Sequence, residues 1–291
     1  MRPVDQFDLL NRCINYFHLA REFDFLAIPG YGRAEYIIFL ILARLLKKKT
    51  ILFAESWYVS NSLIDYLKGI FLRLFADSLF VSGSRAATHF TNRLKISTNR
   101  VYKGYSTVDN EHFNNKINKS EVETSVKSPY LLCVARYSPE KNLVMLIEAF
   151  AKSLLYQNWQ LVLMGDGPQK QMLVHLVKGK DENIKLIGWK QYDELPWWYQ
   201  NAEYTILPSV FEPWGLVVNE SLAAGTPVLA SEACGCVPDL IPDNALIFDP
   251  HNIQELIAVL NSLEDRNVQP VKIDIDCKTW AQTVSIILTE V

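Results

Sequence analysis

Two apolar runs, Glu203–Leu207 and Pro227–Ala230, flank a single helical stretch that can begin at Trp214 or Gly215 and runs to Ala224. Pro208 breaks the first run, Gly225 stops the helix, and Pro227 lies just beyond it. Strand, helix and strand in so short an interval read as neighbouring parallel strands joined by a crossover helix. Glu212 then falls in the loop at a strand's carboxyl end, where open α/β sheets bind ligands. Glu220 lies about a turn and a half along the helix. The amides of Trp214, Gly215 and Leu216 are helix N-terminal donors, a seat for an anion such as phosphate. Carboxylates that accept hydroxyl hydrogen bonds, beside a seat for a diphosphate, suit a nucleotide sugar.

The same alternation extends along the chain. From Tyr130 the sequence predicts strands at 130–135, 160–164, 183–187, 203–207, 226–230 and 245–248, with helices near 142–156, 168–179, 192–201 and 215–224. Before it, strands are expected at Phe25–Ile28, Thr50–Phe53, Ser78–Val81 and Val101–Tyr102, with helices at 1–23, from about Arg33, at Leu63–Phe75 and at Arg85–Leu94. Thr107–Pro129 is polar and aperiodic, which marks a boundary between two parallel-sheet domains. The expected division is 1–108 for the first domain, 109–129 for a linker, 130–277 for the second domain and 278–291 for a terminal helix.

Charge is divided in the same way. Residues 1–108 hold 15 Lys and Arg against 8 Asp and Glu, whereas the remainder holds 14 against 24. A basic first half suits an anionic partner such as a phosphate-bearing lipid or a membrane surface. Nucleic acid is not expected, because no binding motif accompanies the charge. Tyr36–Leu46 is the most apolar run, too short to span a bilayer and closed by Lys47–Lys49. It reads as a helix covering a sheet, with an interfacial helix as the alternative. The five cysteines form no Cys-x-x-Cys pair, and Met1–Leu10 has no apolar signal run, so a reduced, cytoplasmic setting is expected, with peripheral contact at the inner membrane face.

Arg136 and Lys141 follow the first strand of the second domain, at the start of a helix. Cations there oppose the helix dipole, and a diphosphate is the natural partner to hold them. Gly165-Asp166-Gly167-Pro168 and Ile187-Gly188-Trp189 close the next two strands. Trp197, Trp198 and Tyr199 read as packing residues. Asp274-Ile275-Asp276 spells a metal-binding Asp-x-Asp but lies beside the terminal helix, where Asp276 suits a cap, so no metal is expected.

Glu212 and Glu220, with Pro213 and Gly215 between and Gly225-x-Pro227-Val228 after, resemble the Glu-x7-Glu signature of retaining glycosyltransferases of family 4 on the GT-B fold. The resemblance extends over Tyr130–Pro250 and implies two Rossmann-like α/β domains. It implies that Arg136 and Lys141 hold the donor diphosphate and that Gly165 and Gly167 let the backbone approach the nucleotide. It further implies that Gly188 and Trp189 form the base-binding edge, Glu212 binds the donor sugar, Glu220 binds the ribose, and Pro213, Trp214, Gly215 and Leu216 frame the phosphates. The donor is then a nucleotide-diphosphate sugar, with no cofactor and no metal, and the acceptor a lipid-linked sugar or a polysaccharide. Against this family pattern the N-terminal domain is incomplete, with about four strands before Thr107, and Glu55 is the polar residue nearest the loop where many relatives carry a histidine. The alternatives are a non-catalytic nucleotide-sugar-binding subunit completed by a partner chain, and a nucleotide-sugar epimerase.

Overall fold

The structure, a computed structural model, describes residues 6–115, 126–180, 182–263 and 276–290. The fold is mixed α/β with two parallel sheets, carried by two compact units: residues 1–106 with 278–291, and residues 107–277.

The first unit runs α1 (Gln6–Glu22), β1 (Phe25–Ile28), α2 (Ala34–Leu45), β2 (Lys49–Ala54), α3 (Ser62–Phe75), β3 (Ser78–Val81), α4 (Ser84–Thr88) and β4 (Val101–Lys103). Its four strands lie in the order of the chain. Alternate residues of β2 bury on opposite faces, as the two-residue strand period requires. Leu52 and Ala54 join Leu40, Leu72 and Leu79, while Ile51 and Phe53 meet Trp280, Val284 and Ile287 of the C-terminal helix, Cys277–Glu290. Among the described residues β1 pairs only with β2, and Phe25 and Ala27 stay exposed. Helix α2 packs against α1, with Tyr16 stacked on Phe39, and buries Leu40 and Ala43. The run at Tyr36–Leu46 is thus a covering helix.

The expected helix Arg85–Leu94 is interrupted: α4 gives way to a π-helical turn, His89–Arg93, closed by Leu94 N to His89 O at 3.1 Å. The wider turn ends on Arg93, whose guanidinium reaches Asp65 of α3 and the Ser60 carbonyl, the latter at 2.9 Å. Asp65 is buried. Burial alone would raise its pKa, but the Ser60 hydroxyl, Arg93 and Lys68 together hold it below the usual carboxylate range.

The second unit runs α5 (Asn110–Asn114), β5 (Tyr130–Val134), α6 (Leu143–Lys152), β6 (Gln160–Met164), α7 (Lys170–Val177), β7 (Ile184–Gly188), α8 (Leu195–Gln200), β8 (Tyr204–Leu207), α9 (Leu216–Ala223), β9 (Val228–Ser231), α10 (Val237–Leu240), β10 (Ile247–Phe248) and α11 (Ile253–Asn261). Helices α10 and α11 add to the elements expected from sequence. The helix expected at 142–156 stops at Lys152, because Ser153 turns its hydroxyl back to the Phe150 carbonyl at 2.8 Å. The sheet order is β10-β9-β8-β5-β6-β7, all parallel. In β5, Leu131 and Cys133 pack with Leu146 and Phe150, whereas Tyr130 and Leu132 pack with Phe113, Trp197 and Trp198. The polar segment expected as a linker contributes α5, whose Phe113 is fully buried; residues 116–125 of that segment lie outside the described residues.

Gly69 of α3 fixes how closely the helix approaches the turn after α4. A Cβ there would lie 2.4 Å from the Leu94 carbonyl oxygen. Gly69→Ala is therefore expected to destabilise the first unit by about 1–3 kcal/mol despite alanine's better helix propensity. Urea unfolding checks this; an unchanged midpoint refutes it.

Candidate functional site

The order of the second sheet sets the site. The chain steps outward from β5 through β6 to β7, then returns to the other side of β5 as β8 and steps outward again through β9 and β10. The loops leaving β5 and β8 therefore diverge at their carboxyl ends and open a crevice, the switch point where open α/β sheets take ligands. A cleft of about 580 Å³ lies there, lined by Val134, Ala135 and Arg136 at the end of β5, Met164, Gly165 and Asp166 at the end of β6, Leu207 and Glu212 at and beyond the end of β8, and Gly215, Leu216 and Val217 at the start of α9. Lys141, Trp189, Lys190 and Leu195 complete it.

Backbone hydrogen bonds stitch the cleft floor. Ala135 N donates to Met164 O at 3.0 Å, Tyr137 N to Asp166 O at 2.9 Å and Gly165 N to Gly188 O at 2.9 Å. Gly165 has φ of +144°, and a Cβ would fall 1.9 Å from the Ala135 carbonyl oxygen, so only glycine fits that crossing. Gly167 is pressed against the Tyr137 backbone in the same way. The loops on either side of the switch point are tied by Val210 N to Glu140 O at 2.9 Å.

Glu212 is gripped at both backbone groups: its N–H donates to Ala233 O at 3.2 Å, and its carbonyl accepts from Gly235 N at 2.9 Å. Its carboxylate faces the cleft and pairs with Lys141 through Oε2, which also accepts from Ser209 Oγ at 3.4 Å. Both partners are largely shielded, the Lys141 side chain 19% exposed and the Glu212 side chain 13%. Arg136 is exposed; its carbonyl accepts from Ser138 N at 2.9 Å, and among the described residues its guanidinium makes no hydrogen bond or ion pair, although the Ser138 hydroxyl, helped by the Arg136 charge, holds the nearby Glu140 carboxyl below its usual pKa. Helix α9 begins at Leu216 after Gly215, whose φ of +106° no L side chain adopts readily. Its first amides lack intrahelical acceptors, and Gly215, Leu216 and Val217 all border the cleft.

The remaining predicted residues divide. Trp189 stands at the cleft wall and is 65% exposed. The Trp214 side chain is buried, its Nε1 donating to Asn219 Oδ1 at 2.8 Å, so only its backbone is left for a ligand. Gly167, Gly188, Pro213 and Glu220 do not line the cleft. Glu220 accepts the Tyr199 hydroxyl at 2.6 Å. Burial pushes its pKa up, partly offset by that hydrogen bond and by the charge of His112. The His112 ring stacks on Tyr192 at 4.2 Å. Glu55 belongs to the first unit, at the carboxyl end of β2, and accepts from Ser106 Oγ at 3.3 Å.

Sequence reasoning missed Lys190, a cleft-lining cation directly after Trp189, although a cation in a strand-end loop was the same signal that picked out Arg136. It also took Tyr199 for packing alone; its hydroxyl's acceptor lies in a different helix and leaves no local signal. Among the described residues no group of three or more His, Cys, Asp or Glu side chains could hold a metal ion. Asp274 and Ile275 lie outside the described residues.

Known proteins resemble the chain in the region of this site. The family model for glycosyl transferases group 1 matches residues 114–277. The sulfoquinovosyl transferase SQD2 of Arabidopsis thaliana is 27% identical over 212 residues, 69% of this chain and 40% of that protein. The N-acetylgalactosamine-N,N'-diacetylbacillosaminyl-diphospho-undecaprenol 4-alpha-N-acetylgalactosaminyltransferase of Campylobacter jejuni is 26% identical over 259 residues, 84% of this chain and 67% of that one. Among solved structures, Anabaena Alr3699/HepE in complex with UDP superposes with a TM-score of 0.80 at 18% identity, covering 96% of this chain and 82% of that chain. The chain thus spans less than half the length of SQD2 but most of the solved GT-B neighbour. With the matched region taking in more than half of the chain and the whole cleft, the chain belongs to the glycosyl transferases group 1 family.

Proposed function

We propose that the chain is a retaining, metal-independent hexosyltransferase of glycosyltransferase family 4 that moves a sugar from a nucleotide-diphosphate donor to a lipid-linked or polysaccharide acceptor. The observation that carries this reading is Arg136, whose guanidinium makes no ion pair among the described residues and borders the same cleft as the Lys141–Glu212 pair and the start of α9. A diphosphate would neutralise Arg136 through a forked pair of hydrogen bonds and accept from the first amides of α9. Lys141 adds a second charge close by. As the nucleoside diphosphate leaves, negative charge grows on its oxygens, and fixed donors stabilise that charge more than they stabilise the bound donor. Glu212 engages Lys141 and Ser209 through Oε2, which leaves Oε1 for hydroxyls of the donor sugar. Glu220 would take the ribose hydroxyls; Gly165, Gly167, Gly188 and Trp189 would border the nucleotide. In a retaining reaction the leaving phosphate can itself draw the proton from the acceptor hydroxyl, so no separate base is required, and Glu55 is at most an acceptor-side group.

Three similarities support the substrate class. The Campylobacter relative is named for a diphospho-undecaprenol-linked acceptor, SQD2 for a sulfoquinovosyl group, and HepE was solved with UDP and with UDP-glucose. A lipid-linked acceptor would bring the protein to the cytoplasmic face of a membrane as a peripheral enzyme. Among the described residues no helix is long and apolar enough to cross one.

The test is nucleoside diphosphate release from a panel of nucleotide sugars, with lipid extract and chelator present. Arg136→Ala and Glu212→Gln are each expected to lower kcat by about 10²–10³-fold while the chain stays folded. Normal turnover in both would sink the assignment. An inverted product anomer, read by proton NMR, would refute retention alone. Donor binding without turnover under any condition would favour a binding subunit completed by a partner chain.

Glu220 gives a second, separable prediction. Its folded-state pKa is raised, so the folded chain holds this proton more tightly than the unfolded chain does. The stability it contributes is present below the ordinary glutamate value and is lost as pH rises through the raised value. Glu220→Gln should therefore raise Tm at neutral pH, make no difference near about pH 4, and weaken nucleotide binding roughly tenfold or more. A neutral-pH Tm at or below the wild-type value refutes the stability half, and unchanged affinity refutes the ribose role.

A further inference from the structure

Helix α3 packs Leu72, Phe71 and Phe75 on the core, yet carries further apolar side chains outward. Its buried residues are Asp65, Gly69 and Leu72, which successive 100° steps put on one side of the helix. The opposite side carries Leu63 (63% exposed), Leu67 (56%) and Leu74 (57%), flanked by Ile64 (49%) and Tyr66 (61%). A surface helix of a soluble domain has its apolar stripe inward, so this arrangement needs a cause. Rolling the helix to bury the leucines is blocked on the inner side. Asp65 is held there by Arg93, Lys68 and the Ser60 hydroxyl, and Gly69 allows the Leu94 carbonyl to within 2.4 Å of where a Cβ would stand.

The apolar face continues at Leu74 into a second cleft of about 500 Å³, at the amino ends of β2 and β3, which Arg44, Lys49, Arg73 and Arg100 also line. Its two carboxylates are already engaged: Asp77 accepts Thr50 N at 2.9 Å and Thr50 Oγ1 at 3.0 Å, and Glu290 accepts the Tyr102 hydroxyl at 2.7 Å. Arg73 and Arg100 are committed to backbone carbonyls, Leu94 O at 2.6 Å and Asp77 O at 2.8 Å. Arg44 has only a 4.0 Å pairing with Asp77, and the exposed Lys49, whose backbone N–H donates to Asp24 O at 3.0 Å, has no partner for its ammonium group among the described residues. Across the first unit Lys and Arg exceed Asp and Glu by seven, whereas the second unit is acidic.

We infer that the outer face of α3 docks on an anionic lipid bilayer, with Arg44 and Lys49 taking a phosphate-bearing headgroup beside Leu74. The helix has 14 residues, about 21 Å, too short to span a bilayer and long enough to lie in the interface with its leucines among the acyl chains. The positive charge decides between a bilayer and a second copy of the chain, because a basic rim attracts anionic headgroups and repels its own duplicate. The inference does not depend on the donor reading, since the surface and the donor cleft belong to different units and vesicle binding needs no donor.

The experiment is flotation of the full chain with vesicles of phosphatidylglycerol in phosphatidylcholine, compared with phosphatidylcholine alone, with light-scattering mass in parallel. The wild type should float with the anionic vesicles and release at high salt. Leu63→Gln with Leu67→Gln should reduce the bound fraction roughly tenfold, and Lys49→Gln about fivefold on anionic vesicles only. All these side chains are exposed, so Tm and nucleotide affinity should not move, whereas Leu154→Gln, an exposed leucine of the second unit, should leave flotation unchanged. Flotation that survives the double variant, or that is equal on neutral vesicles, overturns the assignment. So does a wild type that fails to float and instead forms a dimer that the double variant dissociates.

Discussion

Parallel pairing of β5 with β8 is the contact on which the rest of the second unit depends. It rests on a short register, Leu131 with Tyr204 and Leu132 with Thr205, yet it makes the chain reverse its direction of travel across the sheet. Reversal sends α6 and α9 away from each other and leaves the ends of two neighbouring strands uncovered. Two loops fill that gap from opposite sides, one bearing Arg136 and Lys141, the other Glu212. Residues 71 apart in sequence thereby become an ion pair. Swapping the order of two strands would leave every local sequence signal intact and abolish the cleft.

The strands were the most legible part of the chain. Phe25–Ile28 and Ser78–Val81 occur as read, since each is a short apolar run with a clear break at both ends; Ser78–Val81 is buried on both faces, whereas Phe25–Ile28 buries only Leu26 and Ile28. Arg136, Lys141, Gly165, Glu212 and Gly215 were legible as cleft residues because a strand-end loop in an α/β sheet has one place to go. Where the reading fell short, the deciding contact was remote. Phe113 is a single apolar residue in a polar stretch, without a period, and its partners Tyr192 and Tyr199 lie about eighty residues on. Glu220 was read from sequence as an open acceptor, whereas the structure gives it Tyr199 as donor and a half-buried site. The sequence predicts a helix at Leu63–Phe75 but not which face of α3 turns inward, because Arg93 and Leu94 from a later segment settle that.

The two units use buried charge differently. In the second, the Lys141–Glu212 pair, although largely shielded, borders a cleft where an arriving anion can compete for the lysine. In the first, Asp65 is enclosed and held by cations from two segments; removing one partner would strand a charge away from water. The first arrangement suits a site that must exchange partners, the second a helix whose rotation must not change.

The helix Cys277–Glu290 covers Ile51 and Phe80 of the first sheet, although it follows the whole of the second unit in the chain. During synthesis, therefore, the unit encoded first cannot finish first. Residues 107–277 hold all the strands and helices of their own core and can close around it as they emerge. The earlier sheet must meanwhile wait, with one apolar face bare, until Trp280, Val284 and Ile287 arrive. That interval is when a chaperone has most to bind, and a stop codon late in the message would damage the beginning of the protein rather than its middle.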